Sequence, residues 1–117
     1  MSATDWAVEL TRAAAAAAED KLAQDIVAFD VSEQLAITDV FLLCSASTSR
    51  QVRAVQDAIQ DTMIELGAKA VRREGMREGR WVLLDFADIV VHVMHQEDRA
   101  FYALERLWSD CPVVELA

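Results

Sequence analysis

The sequence predicts a single domain of the α/β (α+β) class, with a mixed central sheet of about five strands flanked by helices. Three observations predict it. The chain has 117 residues with three glycines and one proline, enough for one core and too few loop formers for long linkers. Apolar runs of strand length occur at Val40–Cys44, Trp81–Phe86 and Ile89–Met94,. Around them lie stretches of helical periodicity, so both kinds of element share one chain. Residues 1–117 read as one unit, with 1–20 as an N-terminal helix and 21–111 as the core. Hydrophobic residues make up 54% and charged ones 26%, the balance of a globular chain.

The first helix can be capped by Ser2 or Thr4, and Trp6, Leu10, Ala13 or Ala14, and Ala17 recur at helical spacing,. The run Ala13–Ala18 has the strongest helix propensity. Its small face suits close packing, on the rest of the domain or on a second copy of the chain. Asp25–Val31 reads as a strand, and Ser32–Thr38 as a connection with room for one helical turn. Val40–Cys44 reads as a strand covered on both faces. After the small-polar loop Ser45–Ser49, Thr48 and Gln51 have capping-box spacing,. Val52, Val55, Ile59, Met63 and Leu66 then form an apolar stripe, and Gly67 is the expected C′ residue,.

A short strand is placed at Ala68–Arg72, followed by the loop Arg73–Arg80. Trp81–Phe86 and Ile89–Met94 are close enough to form a hairpin. Ala87-Asp88 is weak two-residue turn chemistry and leaves room for a longer loop. The last helix starts near Gln96, with Glu97 and Asp98 in its first turn,. Phe101, Leu104 and Trp108 supply its apolar stripe, and Pro112 marks its end.

The formal net charge is −9, which excludes a general binder of phosphate backbones or anionic lipid and favours a basic partner. Residues 50–80 are the only mildly basic stretch, at +2. No apolar run has membrane-span length, and the first residues show no charged segment followed by an apolar one. Cys44 and Cys111 do not resemble a disulfide framework, and Cys44 reads as a buried, reduced thiol. A cytoplasmic location is expected.

Several residues invite a chemical reading. Ser45–Ser49 before a helix could hold an anion on backbone amides, but it has no glycine and no Gly-Lys-Ser/Thr sequence, and helix capping explains it. A metal-dependent nucleotidyltransferase needs paired carboxylates on the next strand. Here Asp57 and Asp61 belong to the amphipathic helix, and Asp85 and Asp88 flank a turn,. His92 and His95 sit three apart in a strand and therefore point to opposite faces. His92, among valines, reads as a core histidine. No catalytic, cofactor or metal residue is assigned, so the chain is not expected to be an enzyme; a nucleotide- or metal-dependent enzyme is the alternative. Trp81 lies at the mouth of a strand, and Tyr102 and Glu105 lie about 60° apart on an ideal helix. Two aromatics beside a carboxylate suit a basic protein partner, or else Trp81 and Tyr102 cover the edge of the core.

Ile37-Thr38-Asp39-Val40-Phe41, Ser49-Arg50-Gln51-Val52, Glu74-Gly75, Gly79-Arg80-Trp81-Val82-Leu83-Leu84-Asp85-Phe86, Asp88-Ile89-Val90-Val91-His92-Val93 and Phe101-Tyr102-Ala103-Leu104-Glu105-Arg106-Leu107-Trp108 together resemble the ribosomal silencing factor (RsfS, Iojap) family. The resemblance runs in register over nearly the whole chain. It implies a nucleotidyltransferase-like fold without the catalytic carboxylates. It also implies binding to the large ribosomal subunit through its fourteenth ribosomal protein, a basic protein on the subunit-joining face. An intersubunit bridge would be blocked and translation repressed, with no cofactor, and the free protein would be a homodimer. Trp81 is implied as an aromatic anchor, Tyr102 as added contact with a hydroxyl, and Glu105 as the partner of a basic side chain. Cys44-Ser45-Ala46-Ser47 departs from the family, whose members usually carry a glycine there. Residues 1–20 and the last few carry little family signal. Arg72, Arg73, Arg77 and Arg80 could make a minor ribosomal RNA contact, or form a solvated loop with the interleaved Glu74 and Glu78.

Overall fold

The computed structural model describes residues 2–116, the side chain of Phe101 excepted. In chain order the elements are α1 (Asp5–Asp20), β1 (Gln24–Asp30), β2 (Val40–Ala46), α2 (Ser49–Glu65), β3 (Arg72–Glu74), β4 (Trp81–Asp85), β5 (Ile89–His95) and α3 (Gln96–Tyr102), followed by a 3₁₀ turn at Leu104–Trp108. The five strands form one sheet in the order β1-β2-β5-β4-β3. β2 and β5 pair in parallel, and the other neighbours are antiparallel. The sheet is therefore mixed, as expected. The parallel pair needs a crossover, which α2 provides.

α1 and α2 pack together on one face of the sheet. α1 buries Ala7, Leu10, Thr11, Ala14, Ala15 and Ala18, so the alanine-rich face lies on its own domain. Trp6, expected in the stripe, is instead 41% exposed. The buried row starts one residue later, at Ala7, because a helix lying close to another needs small residues at the contact. Thr4 is the N-cap, its Oγ1 accepting from the Ala7 N–H at 3.1 Å. At α2, Thr48 Oγ1 accepts from the Gln51 N–H. Gln51 does not return the bond to Thr48, as a capping box would. Its Oε1 accepts from the Ser47 N–H and its Nε2 donates to the Lys21 and Leu22 carbonyls, tying α2 to the turn after α1. The other end closes as a Schellman motif, with Gly67 N–H to Ile64 O at 3.0 Å and Ala68 N–H to Met63 O at 2.8 Å,.

That closure explains a displaced strand. Ala68 is spent on ending α2, and sheet pairing begins only when the Val71 N–H donates to Asp85 O at 2.7 Å. β3 is thus Arg72–Glu74 rather than Ala68–Arg72, a wholly exposed and charged edge strand, which blunts pairing with other chains. The β4–β5 connection is short: Phe86 N–H donates to Ile89 O and Asp88 N–H to Phe86 O, both at 2.9 Å. Ala87 takes φ +71° and its N–H is held by Asp85 Oδ1 at 2.8 Å. A side-chain hydrogen bond therefore supports what the turn residues alone do not favour. The last helix is broken. Ala103 adopts the left-handed conformation (φ 47°, ψ 48°) between α3 and the 3₁₀ turn, so one continuous helix to Pro112 does not form. Beyond it Asp30 N–H donates to Pro112 O and Val114 N–H to Ala28 O, which covers the outer edge of β1.

Cys44 and Cys111 are free and buried, in different apolar clusters on the two sides of the sheet. Burial pushes the Cys44 thiol up to about 12.

Gly75 closes the loop before β4. It has φ +75°, and a β-carbon there would lie 1.8 Å from the Trp81 carbonyl oxygen. Gly75→Ala is expected to cost about 2–4 kcal/mol through left-handed strain and the forced shift of Trp81. Urea unfolding measures it, and a cost below about 0.5 kcal/mol would contradict this account of the loop.

Candidate functional site

The second sheet face has no long helix. Strand alternation and register bring Phe29, Phe41, Leu43, His92, Trp81 and Leu83 onto it. The chain after β5 must cover this face, and the break at Ala103 lets it do so. Leu104 and Trp108 turn down onto Phe29, Val31, Leu43 and Cys111. Leu104 and Trp108 therefore do pack as expected, whereas the expected part of Phe101 lies outside the described residues. The cover is centred on β1 and β2, and at β4 it leaves Trp81 and Leu83 half-buried.

Trp81 and Tyr102 meet there, with ring centroids 5.0 Å apart at 46°. Such pairs contribute about 0.5–1.5 kcal/mol beyond the area they bury. Tyr102 remains 53% exposed. Trp81 also lines a groove of about 320 Å³ with Glu74, Gly75 and Leu83. Behind Trp81 the rings continue inward: His92 lies 6.0 Å from it, Phe41 is edge-on to His92 at 5.3 Å, and Trp108 is edge-on to Phe41 at 4.9 Å.

Glu105 lies past the break at Ala103, on the 3₁₀ turn, and not on one continuous helix with Tyr102. Its Oε1 pairs with Arg99 Nε at 3.5 Å, and its Oε2 is buried with no partner among the described residues. Arg99 is itself buried, 8% exposed, and its Nη1 donates to the Asp25 carbonyl and to Ser45 Oγ. Asp25, Ser45, Gln96, Arg99, Ala100 and Glu105 line a pocket of about 240 Å³. Arg99 is a residue that sequence reasoning missed. Following Glu97 and Asp98, it reads as an ordinary solvated helix charge.

Arg80 was likewise legible only as part of a basic loop. Its Nη2 lies 2.8 Å from Asp98 Oδ1 and its Nε 3.3 Å from Oδ2, with Glu97 at 3.5 Å. Hydrogen bonding to Asp98 raises its already high pKa. The His95 N–H donates to the Arg80 carbonyl at 2.7 Å. The residue before Trp81 is thus clamped to the start of the helix that carries Tyr102. Arg72 pairs with Glu74 at 3.0 Å and Arg73 donates to Gln60, so much of the loop's basic character is engaged within the chain.

The remaining candidates have local roles. His92 and His95 do face opposite sides, and His95 caps α3 through Nδ1, which accepts from the Glu97 N–H. The Ser47 and Gln51 amides, which an anion would need, are engaged by Gln51 and Thr48 side chains. Asp57 and Asp61 are exposed on α2. Asp85 holds the Ala87 amide, and Asp88 sits in the same turn, its carbonyl accepting from the Asp39 N–H. Among the described residues no three or more His, Cys, Asp or Glu gather as a metal set, and no helix is long and apolar enough to cross a membrane.

The family described as "Ribosomal silencing factor during starvation" matches residues 4–117, a span that includes α1 and the C-terminal residues. The chain is 42% identical over 107 residues to the ribosomal silencing factor RsfS of Bacillus subtilis, covering 92% of this chain and 91% of that one. It is similar to a crystal structure from Chromobacterium violaceum, with TM-score 0.84 and 35% identity over 86% of this chain and 84% of that one. A second crystal structure, from Bacillus halodurans, gives TM-score 0.81 and 40% identity over 92% and 98%.

His92 makes the site's support sensitive to pH. Its Nδ1 accepts the Trp81 indole N–H at 3.0 Å, and burial lowers its pKa from 6.5 to about 4. The folded protein therefore holds it neutral while the unfolded chain takes up a proton near 6.5. Stability from this group is full above about pH 6.5 and is lost as pH falls towards 4, by on the order of 3 kcal/mol. Urea unfolding at pH 7, 5.5 and 4 should show wild type losing this increment relative to His92→Leu; parallel losses would contradict it.

Proposed function

Since the chain belongs to the ribosomal silencing factor family, we propose that it represses translation by binding the large ribosomal subunit through that subunit's fourteenth ribosomal protein. Bound there, it occupies the joining face, blocks an intersubunit bridge and keeps the small subunit away, acting in the cytoplasm without catalysis. Trp81, Tyr102 and Glu105 carry the contact.

The observation that carries the reading is the Trp81–Tyr102 pair, in tilted contact and partly open on the incompletely covered sheet face. Aromatic side chains with large area and few rotors are the usual anchors of protein interfaces. The net charge of −9 favours a basic protein over the surrounding RNA phosphates. Glu105 fits a more specific part than its residue type suggests. Arg99 already pairs with Oε1 and Oε2 is buried, so a basic partner group would meet the side chain on its exposed part and share the carboxylate with Arg99. The free protein forms a homodimer in this reading, which light scattering across a concentration series tests.

Co-sedimentation with isolated large subunits tests the contact. Trp81→Ala and Tyr102→Ala should each weaken binding by roughly thirtyfold, the equivalent of about 2 kcal/mol. Glu105→Gln, which keeps the shape and removes the charge, should weaken it most at low salt. Wild-type binding by all three folded variants would overturn the assignment.

A further inference from the structure

We propose that His92 is a positioning residue of the docking surface: its Nδ1 accepts the Trp81 indole N–H and fixes the orientation in which that ring is presented. This rests on the reading of the Trp81 face as the docking site.

The imidazole has little freedom. Phe41 lies edge-on to it at 5.3 Å and 68°, and Phe41 is held in turn by Trp108 at 4.9 Å and 82°. Its backbone lies in β5, between Leu43 of β2 and Leu83 of β4. With its plane set by these neighbours, the Nδ1 lone pair points at the Trp81 Nε1–H, 3.0 Å away. Because Nδ1 accepts, the ring's proton sits on Nε2, which is buried with no partner among the described residues. An unpaired buried donor is costly. A residue present only to fill space between Phe41 and Trp81 would be better as an apolar one. What the histidine adds is a single directional acceptor beneath a ring that otherwise has only van der Waals contacts to choose its rotamer.

The consequence is directional. An indole has a distinct N–H edge and benzo edge, and the Nδ1 contact selects which edge is buried. The opposite edge and the outer face are left for Tyr102 and for a partner. Asparagine at position 92 can offer a carbonyl oxygen close to where Nδ1 lies, whereas leucine fills space and accepts nothing.

The test uses the whole chain and two readouts. The Trp81 indole ¹H–¹⁵N resonance, assigned by its loss in Trp81→Phe, reports the hydrogen bond directly. Binding to isolated large subunits reports its use. His92→Leu should move the indole resonance towards that of an unbonded indole, speed its hydrogen exchange and weaken subunit binding about tenfold, with His92→Asn restoring most of each. If His92→Leu does not fold by circular dichroism, His92→Phe serves as the acceptor-free variant. The inference is overturned if the acceptor-free variant keeps the wild-type resonance or affinity, or if His92→Asn is as defective as that variant. Trp81→Ala separates the two levels. Should it bind subunits like wild type, the docking reading itself fails; should it bind weakly while His92→Leu binds fully, only the role of His92 fails.

Discussion

β5 is buried on both faces, with six of its seven residues buried, and this sets the terms for the rest of the chain. A strand paired on both sides and covered on both faces needs two layers of apolar cover. α1 and α2 supply the first, with small residues on α1 and the Val52, Val55, Ile59, Met63 stripe on α2. The second comes mostly from residues after 95, with Leu35 of the β1–β2 connection beside them. A seven-residue helix, a 3₁₀ turn and a short tail against β1 cover only part of that face. They close it over β1 and β2 and stop at Trp81 and Leu83. The half-open aromatic margin is what this cover leaves, and it is where the proposed partner docks.

The charges around that margin are arranged to hold it. Arg80 joins the start of β4 to the start of α3 through Asp98, and Arg99 joins α3 to β1, β2 and Glu105. Tyr102 follows both anchors, between Arg99 and its partner Glu105 in sequence. The left-handed Ala103 costs about 1–2 kcal/mol, offset by the burial of Leu104 and Trp108 that the turn permits. The chain's acidity acts at longer range, as general repulsion of phosphate, while the local chemistry rests on a few paired groups. Three of the four arginines between 72 and 80 are engaged internally, which reduces what that loop can offer to RNA.

Much of this fold was legible in the sequence, and the parts that were not share a cause. β2, β4, β5 and α2 follow from apolar runs and periodicity, which depend on nearby residues only, and Gly67 marks its helix end for the same reason. β3 was displaced because its sequence, Arg-Arg-Glu, has no strand propensity and is ordered by β4 and the Schellman closure behind it. The break at Ala103 follows from what Leu104 and Trp108 bury, not from any local helix breaker. Trp6 fell outside the core because α1 turns its alanines, rather than its largest residue, towards α2. At the site, an aromatic at a strand mouth suggested Trp81, and Tyr102 does meet it in space. The engagement of Glu105 by Arg99, and of Trp81 by His92, joins residues separated by the helix break at Ala103 or by the β4–β5 turn, and no spacing rule reports such pairs.

The central claim is that the sheet face closed by the C-terminal segment, at its Trp81–Tyr102 margin, is the face that meets the ribosome. The most direct test is a cryo-electron microscopy map of the chain on the large subunit. The account predicts Trp81 and Tyr102 packed on a basic ribosomal protein, Glu105 turned towards a basic side chain, and α1 and α2 facing away. A map with α1 and α2 against the subunit and the Trp81 face open to solvent would contradict it.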